Sequence, residues 1–140
     1  MPEIAKTDQE ILACFAVMSQ LRTHLQQEKF LATVRAMMAE GFRLAYIKES
    51  GSVVAVAGFR IYSNLFMGKH LYVDDLITDE QARSKGHGQA LLIWLKQYAK
   101  ENDCAVLHLD SGVQRHRAHK FYLNQGFDIA SYHFSQKLTP

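Results

Sequence analysis

The stretch from Leu71 to Asn102 limits the possible folds more than any other part of the chain. Leu71-Tyr72-Val73-Asp74-Asp75-Leu76-Ile77 reads as a strand, and a loop from Thr78 to Gly86 follows. Gln89 to Asn102 then places Leu91, Leu92, Leu95, Tyr98 and Ala99 at helical spacing. A strand, a loop with two glycines and a helix together form a general device for holding phosphates. Unpaired amides at a helix start point at the ligand, the helix dipole favours negative charge, and glycine allows close approach. Taken alone, Gly86-x-Gly88 also fits an ordinary structural turn.

The flanking elements narrow the architecture. Thr7-Asp8-Gln9-Glu10 has the form of a capping box and opens a predicted helix over 8–22; a second runs over 27–40, with Gly41 where a C-terminal cap belongs. Phe42 to Lys48, Ser52 to Tyr62 and Lys69 to Ile77 read as an antiparallel meander whose first turn is Glu49-Ser50-Gly51. Beyond the central helix, Ala105 to Asp110 is a short strand and Gln114 to Asn124 a helix ended by Gly126. Phe127 to Leu138 is strand-like again, in one piece or two. Strands alternating with helices in the second half imply a sheet that is partly parallel and covered by helices.

With 140 residues, 48% hydrophobic and 21% charged, the chain has the size and balance of a single folded domain, and 1–140 is expected to form one. A net charge of +2 and the absence of a long Lys/Arg run argue against nucleic acid as a partner. No apolar run suits a membrane span and no signal peptide is evident, so a cytoplasmic location without membrane attachment is expected. Cys14 and Cys104 lie far apart in no metal-binding spacing and are read as reduced thiols in the core. His116 and His119 stand three apart on a helix without a third ligand, so no metal is expected.

Neither common phosphate motif fits the loop. Leu91 stands where a dinucleotide-binding loop has its third glycine, and no Gly-Lys-Ser/Thr ending is present. Arg83-Ser84-Lys85-Gly86-His87-Gly88 does match the Gln/Arg-x-x-Gly-x-Gly/Ala loop of the GNAT superfamily of acyl-CoA-dependent N-acyltransferases, which the chain resembles. The resemblance extends to Leu76-Ile77-Thr78 on the preceding strand and to Ala118, Phe121, Tyr122, Gly126 and Phe127 later on, covering about Leu71 to Phe127. It implies a single-domain α/β (α+β) fold with a mixed central sheet of six to seven strands and about four helices. Arg115 departs from the pattern, standing where the family often has Asn; a phosphate contact and a solvent-facing position both remain open.

The resemblance also implies chemistry: direct acetyl transfer from acetyl-CoA to a primary amine of a small molecule or protein. The cofactor-binding set is Leu76, Ile77, Thr78, Arg83, Ser84, Lys85, Gly86, His87, Gly88 and Gln89, with the first three alongside the pantetheine arm. A backbone amide near Leu76, at a bulge, would face the oxyanion, and Tyr122 would protonate the leaving thiolate. Asp74 and Asp75 lie within an apolar strand and are candidates to take the amine proton, or else partners in salt bridges; alternation of side chains lets only one of them face a given cleft. Asp75 is preferred because Tyr72-Val73-x-Asp75-Leu76 resembles the corresponding strand of some aminoglycoside acetyltransferases, which implies an acid near the substrate amine. His108 and Asp110 form either a relay or a structural pair. A non-catalytic acyl-CoA sensor is the alternative function, a nucleotide or nucleic-acid module is a third, and a homodimer is left open.

Overall fold

The computed structural model describes residues 1–140, which divide into two compact units, Met1–Leu109 and Asp110–Pro140. The first contains β1 (Glu3–Ile4), α1 (Asp8–Ala13), α2 (Phe15–Leu21), α3 (Gln27–Ala39), β2 (Phe42–Glu49), β3 (Ser52–Asn64), β4 (Gly68–Thr78), a 3-10 turn (Glu80–Ala82), α4 (His87–Glu101) and β5 (Val106–Leu109). The strands lie in the order β1-β2-β3-β4-β5 in one mixed sheet. The first four are antiparallel neighbours, and β5 runs parallel to β4.

The capping box forms as expected. Thr7 Oγ1 accepts the Glu10 amide at 3.1 Å and Glu10 Oε1 accepts the amides of Thr7 and Lys6, both at 2.9 Å. Tyr46 on β2 donates its hydroxyl to Glu10 Oε2 at 3.0 Å, which ties the helix start to the sheet. The predicted helix over 8–22 is two helices, because the Cys14 amide turns to the carbonyl of Ile11 at 3.0 Å and tightens the chain there. Gly41 adopts φ +104, and its amide meets the Met38 carbonyl at 3.1 Å, closing α3 as predicted.

The sheet is covered on both faces. Ile11, Cys14, Val17, Met18, Phe30 and Val34 from the first three helices pack on Phe42, Leu44, Tyr46 and Val56. On the opposite face Phe59 meets Trp94 and Tyr98 of α4 edge-on at 6.1 and 5.5 Å, beside the fully buried Leu91 and Leu95. Cys14 is buried as predicted, and burial pushes its thiol up to about 12; Cys104 is only partly buried, unlike the core thiol expected.

The second unit holds α5 (His116–Asn124), within which Tyr122 packs near Phe121 and Phe127, with ring centres at 5.5 and 5.8 Å. Gly126 at φ +90 turns the chain so that the Phe127 amide reaches the Tyr122 carbonyl at 3.1 Å. Two expectations need correction. Residues from Phe127 onward are in no strand, so the sheet has five strands instead of six to seven, and five α-helices replace the expected four. Alternating side chains describe the faces a strand would have; a strand itself requires a main-chain neighbour, and the sequence of the segment does not name one.

Candidate active site

β4 and β5 stay paired only as far as Val73↔Leu109, and β4 then continues to Thr78 alongside β3 alone. Leu76, Ile77 and Thr78 pair with Ala57, Val56 and Ala55 on that inner side, so their outer main-chain edge borders the gap where the two parallel strands part. All three side chains are half-buried.

The turn leaving β4 is tied to α2. Gln20 accepts the Glu80 amide at 3.0 Å and donates to Asp79 Oδ1 at 3.2 Å, while the Asp79 amide reaches the Val54 carbonyl at 2.7 Å. The chain then crosses the exposed Arg83, Ser84 and Lys85 to Gly86, which starts α4. Ser84 at φ +68 and Gly86 at φ +82 are both left-handed. Alternating such residues with ordinary ones turns successive amides towards one side, an anion-holding concavity. No main-chain or side-chain acceptor within the chain takes the amides of Ser84 to Gln89; the first bond of the helix is Ala90 to the Gly86 carbonyl at 2.9 Å. His87, by contrast, is buried and turns inward, its Nε2 3.5 Å from Glu49 Oε1, which is an ion-pair distance without hydrogen-bond geometry.

Asp74 and Asp75 sit at a bulge. Gly58 pairs with Asp75 and the next residue, Phe59, pairs with Val73, so Asp74 is an extra residue on β4. This corrects the expectation that only one of the two can face a given side. Gly58 and Arg60 share the face of β3 on which Phe42 packs; Asp75 lies against Gly58, and Asp74 Oδ2 accepts from Arg60 Nε at 2.9 Å. Both carboxylates therefore meet that face. Arg22, at the end of α2, donates from Nε to Asp75 Oδ1 at 2.8 Å and from a terminal nitrogen to the Asp74 carbonyl at 2.8 Å. Burial raises the pKa of Asp75, against the lowering influence of the Arg22 hydrogen bond and charge.

Tyr122 belongs to the second unit. It is half-buried, and burial raises its pKa, with Arg115 opposing, so the hydroxyl keeps its proton at neutral pH. Arg115 is exposed and leads into α5. Of the two candidate relays, His108 is bonded to His70, Nε2 to Nδ1 at 2.8 Å, and Asp110 lies 3.7 Å from His133. His119 meets the Gly112 carbonyl at 2.7 Å.

A strand that parts from its parallel neighbour, a bulge, and a left-handed loop opening a helix stand together in one unit. The profile of the Acetyltransferase (GNAT) family matches residues 7–127. The chain belongs to this family. It is 35% identical over 122 residues to the uncharacterized N-acetyltransferase YhdJ of Bacillus subtilis, covering 86% of each. It is 24% identical over 98 residues to the aminoalkylphosphonate N-acetyltransferase of Salmonella typhimurium, covering 69% of this chain and 62% of that protein. Among solved structures, a transcriptional regulator from Bacillus halodurans has the same fold, with a TM-score of 0.85 at 21% identity over 99% of both chains.

In this GNAT acetyltransferase, Gly58 and Arg60 have no functional signal in the sequence, since a glycine and an arginine in a long strand look incidental until the bulge brings the acids to them. Nor does His70, which is fully buried against Tyr62 at 4.2 Å between ring centres and leaves Nε2 without a hydrogen-bond partner. No helix of the chain is long and apolar enough to cross a membrane.

Proposed function

We propose that residues 1–140 act as one N-acetyltransferase domain that moves an acetyl group from acetyl-CoA to a primary amine by direct attack on the thioester. The observation that carries this reading is the run of unpaired amides from Ser84 to Gln89 at the start of α4, with Arg83 and Lys85 exposed beside it. Such a run suits a diphosphate. The pantetheine arm follows the outer edge of Leu76, Ile77 and Thr78, its amides bonding to main chain as another strand would.

The neutral amine attacks the thioester carbon, and the carbonyl electron pair moves to oxygen, where an amide near Leu76 stabilises it. The carbonyl then re-forms, the carbon–sulfur bond breaks, and Tyr122 gives its proton to the departing thiolate. Asp75 takes the proton that the amine must lose. Burial raises its pKa, which favours its holding a proton, and it shares its carboxylate with Arg22. An amine acceptor is supported by the Salmonella relative, whose name gives aminoalkylphosphonates as its substrates.

Calorimetric titration with CoA, followed by thiol release from acetyl-CoA with a panel of amines, tests the reading. We expect saturable binding and amine-dependent release; Tyr122→Phe should keep CoA affinity while turnover falls by about 10²-fold or more. Absence of heat with CoA would remove the basis of the assignment.

A further inference from the structure

The first residue of α4 is a histidine whose side chain turns inward. Arg83, Ser84, Lys85 and Gln89 around it are exposed, whereas His87 is only 9% exposed. An aliphatic side chain would fill such a position without burying a polar atom. The imidazole instead leaves Nε2 buried and without a hydrogen-bond partner, 3.5 Å from Glu49 Oε1. A buried nitrogen left in that state calls for a reason beyond packing.

Glu49 ends β2, and the turn after it fixes its main chain: Ser50 and Gly51 are left-handed at φ +50 and +81, and Glu49 pairs with Ser52 across the hairpin. Its side chain is half-exposed and can swing the short remaining way to the ring. The other charged groups of the surrounding elements turn elsewhere. Lys48 lies 5.9 Å from the centre of the Tyr46 ring, Asp79 accepts from Gln20 at 3.2 Å, and Asp74 and Asp75 are held by Arg60 and Arg22. Glu80, Arg83 and Lys85 are exposed, while β3 from Ser52 to Phe59 and α4 from Gln89 to Leu95 bring no charged side chain. Three influences therefore bear on a proton at His87. Glu49 favours the imidazolium, the positive end of α4 opposes it, and an anion on the unpaired amides of Ser84 to Gln89 would cancel that opposition.

We infer that His87 and Glu49 are positioning residues that set the diphosphate loop by means of a proton. An anion on the loop amides draws a proton from solvent onto the imidazole, whose Nε2–H then donates to Glu49 and ties the start of α4 to the β2–β3 hairpin. The inference rests on the proposed function for the identity of that anion, the diphosphate of CoA. Because a proton is taken up as the anion binds, affinity is highest at low pH and falls as pH rises through the range in which imidazole titrates.

Calorimetric titration with CoA at low and high pH, in buffers of differing ionisation enthalpy, counts the protons taken up. The phosphate monoester of CoA titrates in the same range, but does so for every variant alike, so comparison with His87→Gln and Glu49→Gln isolates the pair. Between about pH 6 and about pH 8, either side of the imidazole range, wild-type affinity should fall by at least about fivefold more than that of either variant, with a larger proton uptake. Variants that keep the wild-type pH dependence and proton count overturn the inference; should His87→Gln fail to fold, Glu49→Gln alone decides. Nuclear magnetic resonance of the His87 ring supplies a readout that needs no CoA. Glu49→Gln should move the ring's titration to lower pH, and inorganic pyrophosphate should move the wild-type titration to higher pH. Absence of either movement overturns the inference. A wild type that binds no CoA at either pH counts against the proposed function alone, leaving the two ring titrations to decide on the pair.

Discussion

Asp75 carries its charge where burial works against it, and Arg22 only partly offsets that effect. Its proton is held more tightly in the folded chain than in the unfolded one, so ionising Asp75 costs stability above its folded pKa, and acidification through that value relieves the cost. Asp75→Asn should therefore leave the melting temperature at pH 8 unchanged or higher while turnover falls by about 10² or more. In the wild type, kcat/KM should decline on the acid side at a pH above that of an exposed aspartate, and Arg22→Gln should move that limb further up. A limb that does not respond to Arg22→Gln would argue for another base. Gly58 belongs to the same local problem: an added Cβ would run into Asp75 Oδ2 and lie 2.7 Å from Phe42 Cζ. Gly58→Ala should cost about 1–3 kcal/mol in urea unfolding, because both neighbours are held by packing or an ion pair.

At the level of elements, the start of α1 shows how local sequence and tertiary contact combine. Hydrogen bonds from the Thr7 and Lys6 amides and then from Tyr46 hold Glu10 down at about 2, while burial pushes the Tyr46 hydroxyl up to about 12. A depressed carboxylate stabilises the fold above its unfolded value of about 4.5, and this contribution disappears as pH falls towards 2. Circular dichroism should show Glu10→Gln losing part of the acid dependence between those limits, and Thr7→Ala should cost about 1 kcal/mol. The capping box, the Gly41 stop, the hairpin turn and the Gly86 loop were legible because each depends on residues adjacent in sequence. The bulge was expected near Leu76 through the family resemblance alone; its position at Asp74 was not legible, since it depends on which residue of β3 sits opposite Asp75. The break at Cys14 was missed for a related reason: Ile11, Val17 and Met18 keep helical spacing on either side of it. In the C-terminal segment the pattern of faces was legible and the pairing was not, for an alternating run does not name the strand it lies beside.

For the whole molecule, ligand binding should appear as a shift in stability. CoA at 100 times its Kd should raise the unfolding free energy by about 2.7 kcal/mol through mass action, and scanning calorimetry should register the shift with CoA but not with an equal concentration of ATP. The parting of β4 from β5 after Val73 bears on donor choice. In the binding mode proposed above, main-chain hydrogen bonds along Leu76 to Thr78 would grip the amide-bearing arm of any thioester equally, whatever group it carries. Discrimination between short and long acyl chains must then arise further along the cleft, beyond the point where that shared grip ends, and can change there without weakening the hold on CoA.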